Sequence, residues 1–493
     1  MWNKVRQGCV LLFSGTFGLI WCWMIFTVLV SFNQSKKVCL LAAVLLVFFV
    51  LAVFLLKRYA SGFWENEKIW LAGSGGILLL ITAGLLYAGL SLRVFPGWDF
   101  GSSYLGAVEL AEDGFFSEQS KEYFTAHPNN VALCLFLAGV FKAFGGLCDY
   151  ITLGVLLNVF LLILGIGFLF LLVRQLYGVR SAFLALLLCA LFAPFYMHTA
   201  IFYTDTFALP FVTGAFLVYR MREKNTGFLI LAAAVLGVGY KVKGSLGVIV
   251  IALLIHIWLQ KGKALELVKQ SLLLLLPFLL TVTLLTVLPE QMSLLDAADK
   301  EKNEIPLEHW IATGLEGNGG YNWDIYWMTV SVEGKAAKKA VDRQYIREKL
   351  QEYGVSGMCR HLKDKIVFTW GDGVYFAPEK LKRDPLQESP LHPWVLYDGA
   401  QYGKTYRYCS AVHLLLLGGV LLSVVCTFLR KGEIREIQAV QLAVFGLFLF
   451  LLIWETRSRY LVNFVPLFIL LGIDGGQEAA RYLKTVFREK RNA

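Results

Sequence analysis

Long apolar runs separated by short polar breaks occupy most of the chain. A helix needs about 20 apolar residues to cross a bilayer. Runs that reach or approach that length fall at 8–32, 38–56, 70–92, 129–146, 150–173, 181–200, 203–219, 227–240, 243–260, 271–289, 411–429, 437–454 and 459–474. The pattern predicts an all-α polytopic membrane protein with about 11–13 transmembrane helices. The first run follows Lys4 and Arg6, but it is too long for a signal peptide, and Trp21 and Trp23 stand where a small-residue cleavage site would lie. It reads as a retained membrane helix. The one long polar interruption, 290–410, contains Trp310, Trp323, Trp327, Trp370 and Trp394 and glycine turns at Glu316–Gly320 and Gly371–Gly373. Its aromatic content predicts a small folded domain, mixed α/β or mostly α, rather than a disordered linker.

Composition narrows the class further. The 493 residues are 57% hydrophobic and 17% charged, against about 25% charged in a soluble protein. A disordered chain, a collagen and a nucleic-acid binder are excluded, so no nucleic-acid partner is expected. Most of the nine cysteines lie inside apolar runs, where a thiol packs as a small hydrophobe. No Cys/His spacing suits zinc. Cys359 and Cys409 share the polar segment and would be able to pair in an oxidising compartment.

Charge gives the sidedness. Lys4/Arg6, Lys57/Arg58/Lys68, Arg220/Arg222/Lys224, Lys261/Lys263/Lys269, Arg430/Lys431/Arg435 and the Arg481–Arg491 tail are basic clusters beside apolar runs, which predicts a cytoplasmic position. Residues 93–127 carry Arg93 and Lys121 against Asp99, Glu109, Glu112, Asp113, Glu118 and Glu122. That loop reads as external, as does 290–410. Between 128 and 220 the count of crossings conflicts with a cytoplasmic Arg174/Arg180 loop, so one segment there should be short, broken or re-entrant. The chain then divides into two additional N-terminal helices (1–69), a transmembrane core with a first external loop at 93–127 (70–289), an extracytoplasmic domain (290–410), and C-terminal helices with a basic tail (411–493).

Ionisable groups at membrane boundaries are the natural functional candidates. Asp99 follows Pro96 and Gly97, which end the third run, and a carboxylate there suits a general base; the plain alternative is a capping Asp in an interfacial turn. His127, Asn129 and Asn130 close the same loop, offering neutral donors to hydroxyls or phosphate, or simply capping the next helix. Tyr203 and Asp205 lie in the Tyr203-Thr-Asp205-Thr turn, which also reads as an aromatic belt with an N-cap. Trp454-Glu455-Thr-Arg457-Ser-Arg459-Tyr460 places two arginines on the external side, against the positive-inside bias. Arginine is the bidentate phosphate ligand, although pairing with Glu455 is the simpler reading. Lys243, in Tyr240-Lys-Val-Lys243, lies on the same side.

Taken in order, the first-loop Asp99, the His127-Pro-Asn-Asn130 loop end, the Tyr203-Thr-Asp205 turn and Glu455-Thr-Arg457-Ser-Arg459-Tyr460 resemble the GT-C superfamily of integral membrane glycosyltransferases. The similarity is to the protein-mannosyltransferase-like (family 39 type) branch of Gram-positive bacteria. Ile305–Leu315, Gly320-Tyr-Asn322 with Asp324, and Lys365–Gly373 are similar to that branch too, so the resemblance covers about residues 70–475. It implies a GT-C-type core and a hexosyltransferase of the plasma membrane, with its active site extracytoplasmic. The donor would be a polyprenyl-phosphate sugar, the acceptor a hydroxyl on an envelope protein, wall polymer or glycolipid, and membrane lipid would surround the site. Asp99 and Asp205 would be the catalytic acids, and Arg457, Arg459 and Lys243 would face the donor phosphate. His127, Asn130, Tyr203, Glu455 and Tyr460 would line the sugar and acceptor site. Where many relatives carry a second acid after the first, this chain has Phe100; a divalent metal is therefore not predicted, and no cofactor is expected. Two other readings use the same residues: a transporter or flippase of lipid-linked sugars, and a polymerase or ligase of surface polysaccharide.

Overall fold

The computed structural model describes residues 2–31, 35–58 and 65–492. The side chains of Lys57 and Arg58, and those of the basic tail from 485 on, lie outside the described residues. Among the described residues the chain is helical without strands, apart from one isolated antiparallel bridge between Val94 and Pro385. The helical alternative therefore holds for the polar segment as well.

The apolar runs become helices largely where Leu, Ala, Val and Phe dominate. They begin with α1 (Trp2–Ser31), α2 (Lys36–Arg58) and α3 (Glu67–Ser91). Asn66 caps α3 by accepting from the Lys68 amide at 3.0 Å. Next come α4 (Trp98–Glu112), α5 (Glu118–Ala126) and α6 (Val131–Phe144), then α7 (Tyr150–Tyr177), which Asp149 caps through the Thr152 amide at 2.9 Å. The chain continues as α8 (Val179–Leu191), α9 (Ala193–His198), α10 (Thr204–Phe207), α11 (Leu209–Met221), α12 (Phe228–Val242), α13 (Gly247–Leu259) and α14 (Ala264–Gln291). The polar segment holds α15 (Ala297–Asn303), α16 (Leu307–Gly314), α17 (Trp323–Val330), α18 (Lys335–Trp370), α19 (Ala377–Leu381) and α20 (His392–Val395). Then α21 (Tyr402–Leu429), α22 (Ile437–Ile453) and α23 (Val465–Asn492) return to apolar packing. Among the described residues, seven helices are long and apolar enough to cross a membrane: α1, α2, α3, α7, α14, α21 and the stretch that begins at Ser458 and runs into α23. The shorter apolar helices α8, α12, α13 and α22 pack beside them.

The crossing conflict between 128 and 220 has a structural answer. Helix α6 is bent by 102° from α5 at His127-Pro128. Arg93, just after α3, donates to the Thr152 hydroxyl at 2.8 Å and lies 3.6 Å from Asp149, at the start of α7. The stretch α4–α6 therefore begins and ends at the same end of the bundle and adds no net crossing. The later runs 181–200 and 203–219 are broken as well: Pro194 opens α9 after α8 has ended, and Pro210 opens α11 after α10. The Arg174/Arg180 loop then falls with the other basic clusters. Arg174 pairs with Glu67 at 2.8 Å, and Arg180 donates to the Leu56 carbonyl at 3.3 Å. At that same end Arg222 forms a two-pronged pair with Glu436 at 2.8 and 2.9 Å, and Arg435 meets Asp474 at 3.2 Å.

Helices α21 and α23 pack through Gly419 and Gly472; a Cβ on Gly419 would come within 2.8 Å of the Gly472 Cα. The polar segment is locked to the core rather than set beside it. Trp370, at the end of α18, packs among Trp21, Phe448 and Phe468. The Glu455 amide donates to Trp310 O at 2.8 Å, and the Thr456 amide to Gly319 O at 2.8 Å. Cys359 is exposed, Cys409 is buried, and both thiols are free, so the pairing considered for them is not made.

Gly314 sits where α16 meets this backbone: a Cβ there would fall 2.7 Å from the Ile453 carbonyl oxygen and 2.9 Å from the Glu455 nitrogen. Gly314→Ala should destabilise the fold by about 1–3 kcal/mol through overpacking, visible as a lowered Tm in detergent; an unchanged Tm would show that this contact carries no strain.

Candidate functional site

The end of the bundle opposite the basic clusters gathers residues from α4, α5, the α9–α11 breaks, the α12–α13 junction, α19 and the segment after α22. The centre is Asp205. Its turn is held by Asn158 of α7, which donates to the carbonyls of His198 and Thr199, each at 2.9 Å. Asp205 caps no helix: Tyr203 occupies the cap position of α10 with no side-chain bond. Instead, one carboxylate oxygen accepts from Lys243 and the other from Arg459 Nη1 at 2.9 Å. All three side chains are largely or fully removed from solvent. Three segments distant in sequence thus meet at one ion triad.

Aromatic rings surround it. The Lys243 ammonium lies 4.6 Å from the Tyr460 ring, and the Arg459 guanidinium 4.9 Å from Tyr460 and 5.6 Å from Tyr203. The Tyr460 hydroxyl donates to Glu455 at 2.6 Å. Glu455 makes no ion pair with Arg457 or Arg459, so the simple pairing considered for that motif does not form. Arg457 turns away, between the rings of Phe368 and Phe376 at 4.9 and 4.6 Å.

A second chain of contacts leads to Asp99. The Tyr203 hydroxyl donates to Asn130 Oδ1 at 3.1 Å, Asn130 Nδ2 donates to the Tyr123 hydroxyl at 2.6 Å, and Tyr123 donates to Asp99 Oδ1 at 2.9 Å. Asn130 makes no capping bond on α6; its amide bridges the two tyrosines. The His127 ring lies 4.8 Å from that of Tyr123, tilted by 34°. The candidates Asp99, His127, Asn130, Tyr203, Asp205, Lys243, Glu455, Arg459 and Tyr460 therefore share one neighbourhood, with Arg457 at its edge. Their states differ: both oxygens of Asp205 are occupied by cations, whereas Asp99, half-buried, has only Tyr123 on one oxygen.

Backbone strain marks the same place. Trp98, next to Asp99, has φ +58°, and Tyr375 and Phe376 follow each other at +55° and +61°. Bulky residues rarely adopt this region, which costs of order 1–3 kcal/mol each. Asp372 holds the second pair, accepting from the amides of Val374 and Phe376 at 3.0 and 2.8 Å and from the Ser458 hydroxyl at 2.7 Å. It couples α18 to the arginine segment.

Residues that the sequence reading did not select complete the site: Tyr123, Trp98, Asp372, Lys380 and Arg383. The Lys380 ammonium lies 5.2 Å from the Trp98 ring and 5.9 Å from Tyr203, and the Arg383 guanidinium covers Trp98. Both terminal nitrogens of Arg383 are buried without a hydrogen-bond partner. Burial, and then repulsion from Arg459 and Arg383, brings Lys380 down to about 7. The available signal was the dense Lys380-Leu-Lys382-Arg383 run. Among the described residues, no group of three or more His, Cys, Asp or Glu side chains is arranged to hold a metal ion.

An all-helical chain with several apolar helices of spanning length and ionic clusters at both ends is a multi-pass integral membrane protein. Residues 12–477 match the family described as conserved hypothetical integral membrane protein, and the chain belongs to that family. No curated protein matches the chain significantly.

Removing the negative member of the triad leaves two buried cations facing each other. Asp205→Asn should destabilise the protein by about 3–5 kcal/mol, measured by denaturation in nanodiscs. A loss below about 1 kcal/mol would mean that the triad is solvated rather than buried.

Proposed function

We propose that the protein is a GT-C-type glycosyltransferase of the protein-mannosyltransferase-like kind, moving a sugar from a polyprenyl-phosphate donor to an acceptor hydroxyl on the outer face of the plasma membrane. The observation that carries the reading is a carboxylate with a free oxygen beside cations held mainly against an aromatic ring. Asp99 has an oxygen that no protein donor occupies, while Lys380 and Arg383 gather over the adjacent Trp98 ring with no carboxylate closer than the Glu379–Arg383 contact of 3.7 Å. Asp205, already saturated by Lys243 and Arg459, serves as a positioning residue that fixes those cations.

The chemistry follows from these roles. The acceptor hydroxyl gives its proton to Asp99 as its oxygen attacks the anomeric carbon. The new carbon–oxygen bond forms as the bond to the phosphate oxygen breaks, with inversion. The electron pair leaves on the polyprenyl phosphate, and its charge is stabilised by Arg459, Lys380 and Arg383 in a site from which most water is excluded. Tyr123 orients the base, and no covalent enzyme intermediate is needed. The lipid tail lies along the apolar helices.

Incubating the purified protein in nanodiscs with labelled polyprenyl-phosphate sugars tests the reading. At least one donor should be consumed, and Asp99→Asn should reduce transfer by at least about 100-fold while the fold persists. Transfer at the wild-type rate in that variant would exclude Asp99 as the base. Donor binding supplies a second measurement. Lys380 is charged below about 7 and neutral above it, so affinity for the anionic donor should fall as pH rises through that value, and Lys380→Arg should flatten the profile. A profile identical in the two proteins would remove Lys380 from the phosphate site.

A further inference from the structure

One face of α17 takes no part in the roles assigned above. Trp323 and Trp327, one helical turn apart, are 60% and 62% exposed, with ring centroids 6.4 Å apart and planes inclined by only 22°. Tyr326 lies 5.7 and 5.4 Å from them, and Tyr321 sits 5.3 Å from Trp323. The opposite face is fixed. Ile325 and Thr329 are buried, and Thr329 donates to Asp342 at 2.6 Å beside His309 at 2.7 Å. Asn322 caps the helix through the amides of Asp324 and Ile325 at 2.9 and 3.0 Å. A helix seated this firmly cannot roll its outer rings inward, so a contiguous aromatic face stays open to a partner.

That face is continuous with the site. Ring contacts run from Tyr326 to His309 at 6.3 Å, from His309 to Trp310 at 5.0 Å, from Trp310 to His127 at 6.5 Å, and from His127 to Tyr123, whose hydroxyl holds Asp99. Burial, followed by neighbouring charges that include Asp99, raises the Tyr326 and Tyr321 hydroxyls above their usual values.

Charge selects the occupant. An aromatic face that anchors a protein at a bilayer surface is aided by lysine and arginine facing anionic headgroups. The only charged residue on α17 is Asp324; Glu316 before the helix and Glu333 after it are paired with Lys349 and Lys302. No lysine or arginine on this helix faces an anionic headgroup layer. Flat rings bordered by a carboxylate, phenol hydroxyls and an amide instead suit a saccharide, which lays ring C–H groups on an aromatic face and directs its hydroxyls to polar neighbours.

We propose that the α17 aromatic face binds a saccharide chain as the acceptor, so that the transfer extends or decorates a glycan rather than a Ser/Thr peptide. The acceptor role rests on the transferase reading; the saccharide binding stands without it. The test uses the full chain in nanodiscs, with tetrasaccharides of glucose, mannose and N-acetylglucosamine and a Ser/Thr-rich peptide as probes, read by titration calorimetry. At least one tetrasaccharide should bind saturably, with affinity reduced at least about tenfold in the Trp323→Ala/Trp327→Ala double variant and largely retained in the Trp323→Tyr/Trp327→Tyr double variant, both at unchanged Tm. Binding of no tetrasaccharide, or of the peptide alone, overturns the proposal. So does a loss of bromolipid quenching of tryptophan fluorescence in the double Ala variant, which would place these rings in the bilayer. Saccharide binding without sugar transfer supports the binding inference and sinks the transferase reading. Transfer with an unchanged acceptor KM in the double Ala variant does the reverse.

Discussion

The site depends on one carboxylate shared by two cations. Asp205, Lys243 and Arg459 come from segments far apart in the chain, and each is too buried to be left alone. Replacing such a triad with apolar side chains of equal volume would cost little or even stabilise the fold, yet removing one member is severe. Its value is geometric. It fixes the break between α10 and α11, the α12–α13 junction and the segment before α23 relative to one another, so that Tyr203, Tyr460 and Glu455 have defined positions. With Asp205 satisfied by its own cations, Asp99 and Glu455 are the acids of the neighbourhood that each keep one oxygen without a protein donor.

Strain and hydrogen bonding reinforce that arrangement. The left-handed Trp98 places Asp99 at the first turn of α4, and the consecutive left-handed Tyr375 and Phe376 are held by a carboxylate that also fastens Ser458. Energy stored in backbone conformations of this kind persists only where surrounding contacts over-determine them. Here the contacts come from α18, α21 and the arginine segment, which explains why the polar segment is interlocked with the helical core. The His413 ring, bonded to the Trp370 carbonyl at 2.8 Å and the Tyr375 hydroxyl at 2.7 Å, belongs to the same brace.

The two ends of the bundle solve different electrostatic problems. At the basic end, buried charges are paired with carboxylates, as in Arg222 with Glu436 and Arg435 with Asp474. At the other end, Lys380, Arg383 and Arg457 have aromatic rings as their closest neighbours. Rings stabilise a cation weakly compared with a carboxylate.

The amino-acid sequence by itself determined the membrane class, the positions of most apolar helices and the clustering of basic residues. Each of these follows from local composition and from the cost of placing charge in hydrocarbon. The packing decided what local patterns cannot express. Residues 129–146 are as apolar as a spanning helix, but the bend at His127-Pro128 and the Arg93–Thr152 contact leave the stretch α4–α6 with no net crossing. Asn130 and Asp205 have the composition of helix caps, but their partners are side chains 7 to 254 residues away. Lys380 and Arg383 resemble any basic run until Trp98 is brought beneath them. Hydrogen bonds and ion pairs between distant segments depend on where the backbone has already been placed, and only the folded chain supplies that.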